Sequence, residues 1–321
     1  MQRADWTGVF PATTTAFLPD GSVDEAHVGA HVEWLLSAGC TGVVPLGSLG
    51  EGATLSFAEK VRIIQVTVVA AGSVPVVPGI SGLSTDECVA LARAAAGAGA
   101  SGLMVLPPYV YPGDSRETDA HFAAVLGATQ LPAMLYNNPI AYGTDLRATD
   151  VARLADRFPQ VQAVKESSGD VRRVTALRER LGDRLALFAG LDDMIVEALA
   201  SGGDGWVAGL VNALPAESVA LFRLAQGGQV KEARALYQWF LPLLRLDTVP
   251  KFVQLIKLVQ RETGRGSEAV RPPRLPLEGA EREAALDTIR TALASRSALS
   301  PPGAKRSSDP RHGAKRPSVE A

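Results

Sequence analysis

Cysteine is nearly absent from this 321-residue chain, which has only Cys40 and Cys88. Two separated thiols make neither a disulfide framework nor a zinc site, and each reads as a small buried hydrophobe. No stretch approaches the roughly 18 uninterrupted apolar residues of a membrane span, so none is expected. The opening "MQRADWTGVF" holds no apolar h-region, so no secretory signal is expected either. Net charge is −2 and no long basic stretch crosses the body, which argues against nucleic acid or an anionic membrane as the main partner. The four histidines (His27, His31, His121 and His312) fall on helical segments or in the tail, with no acidic cluster at ligand spacing. Neither a metal nor a cofactor is therefore expected. The chain reads as cytoplasmic and reducing.

What is present is an ordinary globular composition, 46% hydrophobic and 21% charged. The length allows two domains or a single α/β barrel, which runs to about 250 residues as one unit. From Ser295 the chain turns into "SRSALSPPGAKRSSDPRHGAKRPSVEA", rich in Pro, Ser and Lys/Arg, with "GAKR" twice. Such a segment buries too little to offset its ordering entropy, so residues 295–321 are expected to be a disordered, solubilising tail.

Short β-rich runs recur along the body: "GVFPATTTAF" (8–17), "TGVVPLG" (41–47), "VPVVPGI" (74–80), "GLMVLPP" (102–108) and "PAMLYNNP" (132–139). The series continues with "VQAVKES" (161–167), "ALFAGLD" (186–192) and "GWVAGLVN" (205–212). They are almost continuously apolar, as parallel strands covered on both faces should be. Amphipathic stretches separate them; "DEAHVGAHVEWLLSAG" puts Val28, Val32, Leu35 and Leu36 on one face. Gly39, Gly72 and Gly182 stand where helices should stop. Eight strand candidates with intervening helices predict a (β/α)₈ barrel, a TIM barrel, over residues 1–214. An open doubly wound sheet is the alternative, but no Gly-x-Gly-x-x-Gly follows the first strand. The helical pattern of 215–294 exceeds what a minimal barrel needs and is expected to pack on it as a C-terminal helical extension.

The stretch "FPQVQAVKESSGD" (158–170) poses the chemical question, because an apolar strand ends in a bare lysine, Lys165. The bland reading is a strand end whose lysine reaches solvent. The functional reading is a desolvated amine, kept partly neutral by an apolar interior, that forms Schiff bases with carbonyls. In a barrel the active site lies at the C-terminal strand ends. There the sequence places Gly47-Ser48-Leu49-Gly50-Glu51, Tyr109, Tyr136-Asn137-Asn138-Pro139, Lys165 and Gly190. Alone, the Gly-rich turn would be a tight connection, the tyrosines core-edge residues, and Glu51 a first-turn helix charge. Their convergence on one end of one barrel makes them a candidate site. Backbone N–H groups of the Gly-rich turn would hold a carboxylate, and a phenol would carry protons at the lysine-bound carbon.

The motifs "PLGSLGEGATLS", "LPPYVYPG", "LYNNP" and "VKESSGD", in this order over residues 7 to 290, resemble the dihydrodipicolinate synthase and N-acetylneuraminate lyase family of class I aldolase barrels. The resemblance implies Lys165 as the Schiff-base lysine and Tyr136 as the phenol that shuttles protons over it. It further implies Ser48 as the hydroxyl beside the substrate carboxylate. Tyr109 corresponds to a relay tyrosine contributed across a subunit interface, hence a homo-oligomer, dimer or tetramer. The expected substrate contacts are Gly47, Leu49, Gly50, Asn138, Ala141, Tyr142, Gly190 and Val207.

Two departures bear on the substrate. Where the synthases carry an Arg that clamps the carboxylate of aspartate semialdehyde, "YNNPIAYGTD" has Ala141 followed by Tyr142. Leu49 replaces the second hydroxyl of the usual Gly-Thr-Thr-Gly-Glu, which breaks part of the expected relay between Ser48 and Tyr109. The wider pattern looks most like a branch that deaminates 1-pyrroline-4-hydroxy-2-carboxylate, a small one-carboxylate cyclic imine, to 2,5-dioxopentanoate in hydroxyproline breakdown. The alternatives are 4-hydroxy-tetrahydrodipicolinate synthesis, an aldolase or dehydratase reaction on a 2-keto-3-deoxy sugar acid, and a silent barrel that only binds a ketoacid.

Overall fold

A computed structural model describes residues 1–111 and 113–296. The tail beyond Arg296, expected to be disordered, lies outside the described residues. Seven parallel strands form one curled sheet: β1 (Gly8–Pro11), β2 (Gly79–Ile80), β3 (Leu103–Val105), β4 (Ala133–Asn137), β5 (Val161–Glu166), β6 (Ala186–Ala189) and β7 (Gly205–Ala208). Their order is β1-β7-β6-β5-β4-β3-β2, with helices between successive strands. This is the α/β barrel architecture expected from the sequence.

The sequence predicts eight strands, and the second of them (41–47) does not form a regular strand. Its place between β1 and β2 is held by two isolated parallel bridges, Ala12 with Val44 and Val43 with Val76. Val44 N–H donates to the Pro11 carbonyl at 2.8 Å, and Val43 N–H to the Pro75 carbonyl at 2.9 Å. The physical reason is proline. Pro45, Pro75 and Pro78 carry no N–H, so the ladder is interrupted after each short pairing. The backbone bonds still link β1 through 43–44 to the segment leading into β2.

The strands are buried on both faces, which explains their unbroken apolar character. Phe10 and Phe188 meet edge to face with ring centroids 5.1 Å apart, and Trp6 stacks on Phe10. Room for these rings comes from glycines: a Cβ on Gly42 would lie 2.5 Å from Phe10, and one on Gly205 would lie 2.3 Å from Phe188. Large and small residues thus alternate across the interior, as a filled barrel requires.

The helix Pro215–Gln226 packs against β1. Beyond it come the helices Val230–Leu244, Phe252–Glu262 and Gly279–Ser295. Glu51 fastens this part to the strand ends. Rather than a first-turn helix charge, it is fully buried, with Lys257 Nζ 2.5 Å away and the Arg271 N–H donating to its second oxygen. Cys40 and Cys88 are both buried free thiols, the role read for them from the sequence. Among the described residues, no helix is long and apolar enough to cross a membrane.

Candidate active site

The register of the sheet assembles the chemistry. Tyr136 on β4 is the direct partner of Lys165 on β5, so both side chains leave the same face of the sheet, into the barrel. Their successors, Asn137 and Glu166, are also paired but turn to the opposite face, where Asn137 Nδ2 donates to Glu166 Oε2 at 2.9 Å. Alternation along two short strands therefore separates a reactive pair from a structural one.

Lys165 is 6% exposed, and its Nζ lies 4.4 Å from the centre of the Tyr136 ring. Among the described residues it forms no ion pair. The space it occupies depends on Gly190, where a Cβ would stand 2.9 Å from Lys165 Cε and 1.9 Å from Ser167 Oγ. Asn138 caps the short helix Pro139–Tyr142 by accepting from the Ala141 N–H at 3.0 Å. That bond fixes its amide orientation, so Nδ2 is the group that donates to Tyr136 Oη, also at 3.0 Å. The phenol oxygen thus receives a hydrogen bond and keeps its own proton available.

A cavity of about 360 Å³ opens over Lys165 at the C-terminal strand ends. Gly47, Ser48, Leu49, Tyr136, Asn138, Ala141, Gly190 and Val207, all expected at the site, line it. Gly50 does not. It is packed behind the turn, where a Cβ would come within 2.8 Å of the Thr13 carbonyl. Tyr142 stands just outside the lining and shares a hydrogen bond with Ser48. Burial and the neighbouring Tyr136 push the Tyr142 phenol above its usual range. Its ring lies 5.8 Å from Tyr136 and 5.6 Å from Tyr109, so Tyr142 occupies the gap that Leu49 leaves between Ser48 and Tyr109. Tyr109 itself turns inward onto its own barrel, half-buried, while Val110 and Tyr111 of the same loop are 59% and 57% exposed.

Sequence reasoning missed the far wall of the cavity. Asp247, Thr248, Val249, Pro250 and Phe252 form it, and Ala12, Met104, Ile140, Leu191 and Gly209 complete the lining. The segment from 247 to 252 follows an apolar helix with one acid and one proline, and no spacing rule marks it as part of a site.

Residues 5–292 match the dihydrodipicolinate synthetase family. The chain belongs to that family. A 4-hydroxy-tetrahydrodipicolinate synthase from Sorangium cellulosum (strain So ce56) is 36% identical over 300 residues, 93% of this chain and all of that protein. Among solved structures, the 4-hydroxy-tetrahydrodipicolinate synthase of Methylacidiphilum fumariolicum SolV superposes with a TM-score of 0.85 at 28% identity, covering 91% of this chain and 99% of that one. A prophage protein of the same family from E. coli K12, solved with pyruvate, gives a TM-score of 0.84 at 28% identity, with 89% and 98% covered. The chain is accordingly an enzyme of the lysine Schiff-base lyase type. The relatives' names match the synthase alternative rather than the deamination expected from the sequence.

Proposed function

We propose that Lys165 forms a Schiff base with a small 2-oxo acid or cyclic imine carrying one carboxylate, and that deamination of 1-pyrroline-4-hydroxy-2-carboxylate is the reaction this cavity fits. One observation carries the reading. Among the described residues Lys165 is the only cationic side chain lining the cavity, and Ala141, where the resemblance places the synthases' Arg, lines it without a charge. Lys165 would displace the ring nitrogen, Tyr136 would move protons at the attacked carbon, and the Gly47–Leu49 turn would offer N–H donors to the carboxylate. Loss of the hydroxyl as water, tautomerisation that moves the double bond to the carbon bearing the freed nitrogen, and hydrolysis of the imine so formed would then release ammonia. The names of the relatives support a second reading, 4-hydroxy-tetrahydrodipicolinate synthesis, and support it more directly than they support deamination.

The two readings differ in the second carboxylate that aspartate semialdehyde brings. A charged hydrogen bond to such a group is worth about 1.5–3 kcal/mol, and its absence should cost one to two orders of magnitude. Ammonia release from the pyrroline is expected to exceed dihydrodipicolinate synthesis in kcat/KM by about a hundredfold, or about 2.7 kcal/mol. Steady-state assays of both reactions on one preparation decide between them. Equal efficiencies, or a preference for aspartate semialdehyde, would establish the synthase reading.

A homo-oligomer, dimer or tetramer, is part of the same proposal. Its motivation is the 107–111 loop, stiffened by Pro107 and Pro108, which carries the exposed apolar Val110 and Tyr111 beside the site. Light scattering at working concentration should give a mass at least twice that of one chain. A fully active monomer would refute it.

A further inference from the structure

The cavity contains one acid, Asp247, that the Schiff-base chemistry described so far does not use. It ends the short 3₁₀ turn Arg245–Asp247. Its Oδ1 is shielded from solvent and has no hydrogen-bond partner among the described residues. A buried acceptor left unpaired is costly, so such groups in native structures call for a specific explanation. The carboxyl lies directly over Gly209, where a Cβ would stand 2.1 Å from Oδ1 and 2.6 Å from Oδ2. Any side chain at 209 would therefore expel Asp247 from its position. The neighbouring buried acid behaves differently. Asp192 is fully occupied, accepting from the Trp206 indole N–H and from the N–H groups of Gly209 and Leu210.

We propose that Asp247, in the space kept open by Gly209, is the subsite for a hydroxyl on the substrate carbon β to the carbon that Lys165 attacks, and that it gives this hydroxyl the proton with which it leaves as water. Three facts favour a hydroxyl over a second carboxylate. The subsite offers an acid rather than a cation, its carboxyl is part of the cavity wall, and among the described residues no basic side chain other than Lys165 lines the cavity. Burial, then the Asp192 carboxyl, raises the Asp247 acid well above the usual carboxylate range, with Asp193 adding to this and Lys165 opposing it. The direction of that shift favours the protonated form, which a leaving hydroxyl requires.

The step balances as an elimination. The C–H bond on the α carbon breaks, and its proton goes to Tyr136 Oη, which has already given up its own proton in forming the Schiff base. The electron pair becomes the new α–β double bond as the β carbon–oxygen bond breaks. The departing oxygen takes the Asp247 proton, leaving water and an Asp247 carboxylate. No oxidant or cofactor enters.

The proposal rests on the Schiff-base reading of Lys165, and the test separates the two. Wild type, Asp247→Asn and Asp247→Ala are each incubated with 4-hydroxy-2-oxopentanoate or with 2-oxopentanoate, reduced with borohydride, and weighed as intact protein. Wild type should be half-saturated by the hydroxylated acid at about a tenfold lower concentration than by the plain one, and its hydroxylated adduct should be lighter by one water. Both variants should still trap 2-oxopentanoate, lose the tenfold preference, and keep the adduct at its full, undehydrated mass. A wild type with no preference, a variant that dehydrates like wild type, or a variant that traps neither acid would each overturn the subsite. A wild type that traps neither acid would instead overturn the Schiff-base reading.

Discussion

Lys165→Ala should reduce turnover by more than about 10⁴-fold, to the background of any assay, while the protein stays folded. The amine is the covalent partner in this chemistry, so nothing else at the site can replace it. The fold should survive because the lysine head faces an open cavity and makes no ion pair among the described residues, so its removal leaves no buried charge unpaired. The variant's unfolding midpoint should stay close to that of wild type. Borohydride reduction of wild type with pyruvate should label one peptide, residues 158–170, and the variant should take no label. Label on another lysine would move the nucleophile elsewhere. Absence of label with every 2-oxo acid tried would favour the silent, ketoacid-binding barrel.

Much of this was legible in the sequence because the barrel states itself in its strands. Covered parallel strands are almost continuously apolar, and "GLMVLPP" and "ALFAG" are so. Lys165 stood out for the same reason, as a charge at the end of a run that has no reason to carry one. The second strand was over-read because "TGVVPLG" has the right hydrophobicity, but Pro45 and the prolines of 74–80 remove the N–H groups that a ladder needs. Gly50 was over-read because a Gly-rich turn before a helix suggests backbone donors, and the sequence does not say which glycines face the ligand. Asp247 was invisible for a different reason. Its role depends on Gly209, 38 positions earlier, lacking a side chain beneath it, and no local pattern encodes that proximity. The sequence puts Tyr142 among the expected substrate contacts. What the sequence could not show is that its hydroxyl meets Ser48, which takes a helical turn at 139–142 to arrange.

Tyr136→Phe should lower kcat by roughly 10²–10⁴-fold, the range for a lost acid–base group, or about 2.7–5.4 kcal/mol. The effect should fall on kcat rather than on the position of the lysine. Phenylalanine keeps the ring face over which Lys165 Nζ lies at 4.4 Å and the edge contact with Tyr142 at 5.8 Å. It removes one oxygen, the one to which Asn138 Nδ2 donates at 3.0 Å. That donor holds the phenol oxygen in place while the tyrosine gives and takes protons. The variant should therefore still accept pyruvate in the borohydride experiment, with the rate of adduct formation falling in step with kcat. Asn138→Ala, which leaves the phenol but withdraws its donor, should cost less, about tenfold, in line with about 1–1.5 kcal/mol for a single hydrogen bond. A Tyr136→Phe enzyme within threefold of wild type would show that Tyr136 does not carry the proton. Tyr142, which reaches Ser48 through its own hydroxyl, would then be the group to replace next.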